Sequence, residues 1–325
     1  MKERGNVFCS ICKNPIWNNR FENLERSGES YSVYFCEECD VGFTIPKLSA
    51  ESLSKFYHTG TYRLSSGKRF GSFFESLICS FRLQRKRRIE RFKKKGRILD
   101  IGCGRGLFLD VMQKNGWDVL GAELNDDTAS YAREKYGVKV ITGSPLSWDI
   151  PDESLDVITV NHVLEHLDNP VEMLSVCRRL LKKEGLLVIA IPNIDSLQAS
   201  VGKSVWFHLD VPHHLCHFSE SGLKKLLKGN DLRILKVRRF DLEYNIFGWL
   251  QTLLNLSGIK RDFLFHMLKT SALRKNMLAN GRKRDMILTC ALAPIYFPLS
   301  VILSAIESFI LHRGGTVEIY AVKDR

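Results

Sequence analysis

A chain of 325 residues, 44% of them hydrophobic, is long enough for one full α/β domain and a small accessory module. Its formal charge of +12 favours an anionic partner, nucleic acid or an anionic membrane surface. The opening "MKERGNVFC" is charged and has no apolar h-region, so a cytoplasmic protein with reduced thiols is expected. Nine cysteines in that compartment suggest metal binding before disulfides.

Two C-x-x-C knuckles come first in the chain, Cys9/Cys12 and Cys36/Cys39. Four thiolates suffice for a closed tetrahedral structural Zn2+ site, which would fold a segment too short to hold itself together; a redox pair is the alternative. Cys79, Cys103, Cys177 and Cys216 lack such partners and read as small buried side chains. From about residue 46 a linker follows, with "SLSKFYHTGTYRL" and its His58 expected to pack between modules. Residues 82–97, "RLQRKRRIERFKKKGR", carry ten Lys or Arg and one acid. They read as a solvated helix, or as a contact for an anionic partner.

The stretch "ILDIGCGRGLFLD", residues 98–110, joins an apolar strand to a helix through a glycine-rich turn that opens on Asp100. Such a turn lets backbone approach a ligand and adds helix N-terminal N–H groups. Gly102, Gly104 and Gly106 read G-x-G-x-G, not the dinucleotide pattern G-x-G-x-x-G, and an aspartate would repel a pyrophosphate. A ligand with an ammonium, a sulfonium and one carboxylate suits both acid and N–H groups. S-adenosylmethionine has that charge pattern. "WDVLGAEL" is the second strand, and its Glu123 falls where a doubly wound sheet presents a carboxylate to ribose hydroxyls.

A helix is expected from Asp126 to Tyr136, with Gly137 as its stop, then strands "VKVIT" and "LDVITV". Asn169-Pro170 caps the next helix, which Gly185 should end before the strand "LLVIAI". Ser219 caps another short helix, and "LRILKVRRF" and "TVEIYAV" complete the strands. This alternation defines an α/β fold with a parallel sheet covered by helices.

Residues 97–240 and 316–323 resemble a class I S-adenosylmethionine-dependent methyltransferase. Asp100-Ile-Gly102-Cys-Gly104-Arg-Gly106, Glu123 and "NHVLEHLDNP", Asn161 to Pro170, carry the likeness. The N-terminal knuckles and "LDVPHHLCHFS", residues 209–219, resemble the bacterial ubiquinone-biosynthesis-like subgroup. The resemblance implies a doubly wound, seven-stranded, mostly parallel Rossmann-like sheet whose last strand is antiparallel. The organisation expected is a zinc-ribbon-like module (1–45), a helical linker (46–96), the methyltransferase core (97–243 and 316–325) and an apolar helical insertion (244–315). The cofactor set implied is Asp100, Gly102, Cys103, Gly104, Gly106, Glu123, Leu124, Ser144, Asn161 and His162.

For a hydroxyl acceptor the protein must remove a proton, and histidine is the natural base. His208, His213, His214 and His217 lie in the long loop after the fifth strand, while His162 and His166 follow the fourth. His162, His166, His213, His214 and His217 are the catalytic candidates, each with capping or loop hydrogen bonding as its alternative role. "HVLEH" also matches the inverted zinc-protease pattern, disfavoured because His162 directly follows a strand. The Asn/Asp-Pro-Pro-aromatic turn of many base N-methylating enzymes is absent, since Asn161 is followed by His162, Val163 and Leu164. O-methylation of a small or lipid-linked acceptor is therefore favoured, with an RNA-directed enzyme, or a zinc and basic-helix binding module on a non-catalytic scaffold, as alternatives.

Residues 244–315 are too long for a connection and too apolar for a solvated loop. In 286–311, Pro294 and Pro298 are expected to break the run. Ser300, Ser304, Glu307 and Ser308 form a polar stripe, favouring helices in a membrane interface or packed on protein as a lid or homodimer face, over a span. Flanking "GRKRD" at 281–285 and "HR" at 312–313 would suit lipid headgroups.

Overall fold

In the computed structural model the described residues are 7–16, 18–26, 28–48, 72–269 and 283–324. The linker tyrosines and His58 lie outside them, as do Gly281 and Arg282 of the basic run.

The N-terminal part holds β1 (Val7–Phe8), β2 (Pro15–Ile16), β3 (Asn18–Arg26), β4 (Glu29–Cys36) and β5 (Val41–Ile45). Helix α1 (Ser72–Glu90) leads to β6 (Arg97–Ile101), α2 (Leu107–Lys114), β7 (Asp118–Ala122), α3 (Asp126–Tyr136), β8 (Lys139–Ile141), β9 (Leu155–Asn161) and α4 (Pro170–Leu180). Then come β10 (Leu181–Pro192), α5 (Leu197–Gly202), β11 (Cys216–Phe218), α6 (Glu220–Gly229) and β12 (Leu232–Arg238). The chain continues with α7 (Tyr244–Leu256), α8 (Phe263–Lys269), α9 (Lys283–Ala305) and β13 (Thr316–Lys323).

Seven strands form the central sheet in the order β12-β13-β10-β9-β6-β7-β8, with β13 antiparallel to both neighbours. The strands are apolar on both faces because helices cover both. Ile98, Val119, Val157 and Val188 face Phe108, Leu109, Met112 and Ala132 of α2 and α3. The alternating residues Leu99, Leu120, Ile158 and Ile189 face Met173, Leu174, Leu223 and Leu227 of α4 and α6. The chain runs from β6 outward to β8 and returns on the other side as β9, so strand order reverses between β6 and β9. In an open α/β sheet the crevice beyond the C-terminal ends of such a strand pair is where ligands bind. Asp100 and Thr159 are register partners on that pair.

Four expectations change. Helix α4 ends at Leu180, not at Gly185, because β10 begins at Leu181, with a register shift between Leu181 and Leu186. Gly185 serves this irregularity, since a Cβ there would stand 2.8 Å from the Lys182 carbonyl. Secondly, the basic helix turns three arginines inward. Arg82 pairs with Glu243 at 2.6 Å, Arg88 with Asp241 and Glu318, and Arg85 is buried. Those cations are withdrawn from any anionic surface.

Thirdly, α9 continues through Pro294 and Pro298. The cost of proline within a helix is offset by packing, since Leu288, Leu292 and Tyr296 of the same stretch lie against the Leu250 and Leu254 cluster. Fourthly, Cys216, His217 and Phe218 form β11 and are not loop. This strand pairs antiparallel with β5, giving a four-stranded sheet β11-β5-β4-β3 built from both parts of the chain. The Cys9, Cys36, Val41 and Phe43 side chains belong to the same core as Leu99 and Leu223.

Candidate active site

The glycine-rich turn is shaped by backbone requirements. Gly102 (φ +71°) and Gly104 (φ +55°) lie in the left-handed region, and a Cβ on Gly102 would stand 2.3 Å from Val163 Cγ2. A Cβ on Gly104 would meet nothing within 4 Å, so backbone there faces open space. Gly106 closes the turn against Ala132 of α3. The N–H groups of Gly102 and Cys103 donate to the Ala122 carbonyl, fastening the turn to β7, while buried Cys103 packs its sulfur over Gly121.

Two buried carboxylates flank this opening. Glu123 accepts from Gly104 N–H at 2.9 Å and from Asn125 N–H at 3.1 Å, so it braces the turn as well as facing it. Asp100 accepts the Thr159 hydroxyl at 2.5 Å. Burial raises its carboxyl to about 6 against the opposing pull of Thr159, Arg85 and Arg82. A carboxylate so placed gains most from a cationic ligand. Leu124 is exposed at the end of β7, and Ser144, also exposed, caps the turn Pro145–Ser147.

On the other side of the crevice, Asn161 ends β9 with both side-chain polar atoms buried and without hydrogen-bond partners. His162 follows in the left-handed conformation (φ +52°), a strained state for a histidine. Its ring stacks on Tyr244 at 3.9 Å, and Nδ1 lies 3.3 Å from Oε1 of buried Glu165. Burial alone would raise the Glu165 carboxyl, but the His162 hydrogen bond and the nearby histidines take it down to about 2. Leu164–His166 is a 3-10 turn, so His162 and His166 do not share one face of an α-helix as a zinc-protease motif requires.

His166, His208, His213, His214 and His217 form a packed group behind Glu165. His166 Nδ1–H donates to the His213 carbonyl and His214 Nδ1–H to the His208 carbonyl, both at 3.0 Å. One ligand atom each from Glu165, His166 and His214 lies within 4.8 Å of the others, a set that can accept a divalent cation. His213 is held on Asp210. The Thr44 hydroxyl spends its proton on the His214 carbonyl, so His217 Nε2 donates to Thr44 Oγ1 at 2.9 Å. Burial pushes His208 and His217 down to about 3 and His214 to about 4, keeping all three neutral at pH 7. His217 thus serves the junction with β5, whereas His162 combines a carboxylate neighbour with a buried ring nitrogen, Nε2, that has no hydrogen-bond partner.

Glu165, Thr159, Tyr244 and Arg85 were not singled out as site residues in the sequence. Glu165 is legible in "HVLEH" as a carboxylate three residues after a histidine. Arg85 shares i, i+3 spacing with Arg82 and Arg88, which marks one helix face but not that it points inward.

The four knuckle cysteines also meet. Cys9 and Cys39 sulfurs are 3.9 Å apart and those of Cys12 and Cys36 3.7 Å. Four thiolates around a tetrahedral zinc at ~2.3 Å lie ~3.8 Å apart, so the spacing fits the metal. Ile11 and Cys12 N–H groups point at the Cys9 sulfur, as suits a thiolate.

The methyltransferase domain family matches residues 73–237. A ubiquinone biosynthesis O-methyltransferase of Roseobacter denitrificans is 38% identical over 104 residues, 30% of this chain and 41% of that protein. A probable S-adenosylmethionine-dependent methyltransferase of Mycolicibacterium smegmatis is 30% identical over 97 residues, 30% of this chain and 38% of its own length. The chain thus spans about two fifths of the curated relatives it matches. A solved S-adenosylmethionine-dependent methyltransferase of Archaeoglobus fulgidus aligns over 85% of this chain and 100% of its own, at 22% identity and TM-score 0.48.

Proposed function

The chain belongs to the methyltransferase domain family, and from that premise we propose that it methylates a hydroxyl oxygen of a small or lipid-linked acceptor at or beside a membrane. A quinone precursor or a carrier-linked sugar is the acceptor class, and the cytoplasm, at the inner membrane face, the location. The observation that carries the reading is the Glu165–His162 pair next to Asn161 at the strand-order reversal. Relatives named as ubiquinone biosynthesis O-methyltransferases support an oxygen acceptor.

Asp100, the Gly102–Gly106 turn and Glu123 would hold S-adenosylmethionine, which supplies a methyl group on a sulfonium. The protein's own work is then alignment and proton removal. The Glu165 carboxylate, 3.3 Å from His162 Nδ1, favours the tautomer that carries its proton there and leaves Nε2 as the free lone pair. As the acceptor oxygen takes the methyl, His162 Nε2 takes the hydroxyl proton, and the Glu165 carboxylate balances the imidazolium. The Tyr244 ring keeps the imidazole in place, and the Asn161 amide orients the hydroxyl. In the same reading the Cys9, Cys12, Cys36 and Cys39 thiolates hold structural zinc.

With a dihydroxyphenol quinone precursor as acceptor, His162→Gln is expected to lower kcat by about 10²–10⁴ while cofactor affinity stays unchanged. Transfer of labelled methyl together with calorimetric titration reads both quantities, and undiminished turnover would remove His162 from the mechanism. A pH effect follows from Asp100. A bound cation favours its carboxylate, so binding releases a proton below the free carboxyl's value of about 6. S-adenosylmethionine affinity should therefore be flat above pH 7 and fall below pH 6, by at most about tenfold per pH unit. An Asp100→Asn variant should bind weakly with no such slope.

A further inference from the structure

Helix α9 is amphipathic in the reverse sense for a helix packed on a water-soluble core. Its buried residues are Thr289, Ser300 and Ser304, and the turn Ile306–Ile310 that continues it buries Glu307 and Ser308. Glu307 accepts from the Gln198 and Gly315 N–H groups, and Ser308 donates to the Arg239 carbonyl. Met286, Leu288, Leu292 and Tyr296 lie half-buried against the Leu250 and Leu254 cluster, but a second apolar face points outward, with Ile295 63% and Phe309 62% exposed. In the most apolar stretch of Lys283–Ile310 only 11% of residues are buried. A water-facing helix would present the opposite arrangement.

We propose that the outer face of α9 seats in the hydrocarbon edge of an anionic lipid bilayer, with the helix lying along the membrane and not crossing it. This deepens the membrane location proposed above and rests on that part of it alone. Three features favour lipid over a second protein chain. At ~100° per residue, Ile287, Ala291, Ile295, Leu299, Val301 and Ile302 spread over roughly half the helix circumference, wider than the seam one partner helix covers. Exposed Lys283 and Arg284 at the first end match anionic headgroups, with Asp285 beside them accepting from the Lys260 N–H; Arg313 at the other end is exposed and also donates to the Asp195 carbonyl. Finally, the helix is fastened to the domain along its length, near its start by the Lys260 N–H on Asp285, midway by Tyr296 on Ser257 and just past its end by Glu307 on the Gln198 N–H, and the chain then enters β13. A helix held lengthwise in this way cannot span a bilayer without taking the central sheet with it.

Vesicle flotation of the full chain tests this without any methyl acceptor, so failed catalysis and failed binding are separate results. The protein should float with vesicles of phosphatidylcholine and phosphatidylglycerol, and less with phosphatidylcholine alone. An Ile295→Asp/Ile302→Asp variant, altered only at exposed positions, should stay at the bottom of the gradient with its melting temperature unchanged. Lys283→Glu/Arg284→Glu should lose the preference for anionic vesicles. Wild-type protein that stays at the bottom with both vesicle types would overturn the proposal. So would a lipid-free dimer in sedimentation velocity that the Ile295→Asp/Ile302→Asp pair converts to monomer, since a second copy would then be the occupant.

Discussion

Replacing Glu123 by alanine is expected to abolish the rise in melting temperature that S-adenosylmethionine produces in the wild-type protein. The carboxylate sits at the end of β7 with its oxygens on the Gly104 and Asn125 N–H groups, so the substitution removes both a ligand contact and a brace of the turn. Two charge-assisted hydrogen bonds to the ribose hydroxyls, at ~1.5–3 kcal/mol each, predict at least about a hundredfold loss of affinity. The companion variant Glu123→Gln keeps one acceptor for the Gly104 N–H and should fold normally, yet still bind weakly. If Glu123→Ala retained the full shift, the assignment of the cofactor to this crevice would fall. NADH should produce no shift in either protein, because Asp100 repels a pyrophosphate.

Loss of the four-cysteine site should damage the methyltransferase domain as well as the N-terminal part. Structural zinc contributes on the order of 10 kcal/mol in small metal domains, and losing even a third of that, about 3 kcal/mol, lowers the melting temperature by about 6–12 °C. Metal analysis should find one zinc per chain in the wild type and less than one in Cys36→Ser. The junction explains why the effect spreads. β5 supplies the edge on which β11 pairs, and buried Thr44 holds both the His214 carbonyl and the His217 ring. Ser219, which caps α6, also donates to the Asp40 carbonyl beside the second knuckle. A Cys36→Ser protein with full zinc and unchanged melting would contradict the ligand set.

Local chemistry made much of this protein legible before any coordinates. Helix α3 lies at 126–136 as read, and β6 and α2 flank the glycine-rich turn as expected, because each is bounded by a glycine or a capping side chain that acts within a few residues. The seven-stranded sheet with its antiparallel last strand came from the family likeness, and alternation of elements alone implies only its class. The boundary of α4 was misplaced because Gly185 has two uses, helix stop and strand irregularity, and only the pairing of β10 with β9 separates them.

What tertiary structure alone decided concerns direction and distance. A run of cations reads as solvated unless one knows that Arg82, Arg85 and Arg88 meet Glu243, Asp241 and Glu318 from segments far along the chain. The serine and glutamate stripe of α9 was visible as a period, but a period does not say which side is covered, and here the polar side is. The same holds for the histidines. Their clustering was apparent, whereas the pairing of His162 with Glu165, and of His217 with Thr44, depends on the crossing of β9, β11 and β5. Spacing along a chain fixes which residues share a face, and only packing fixes what that face meets.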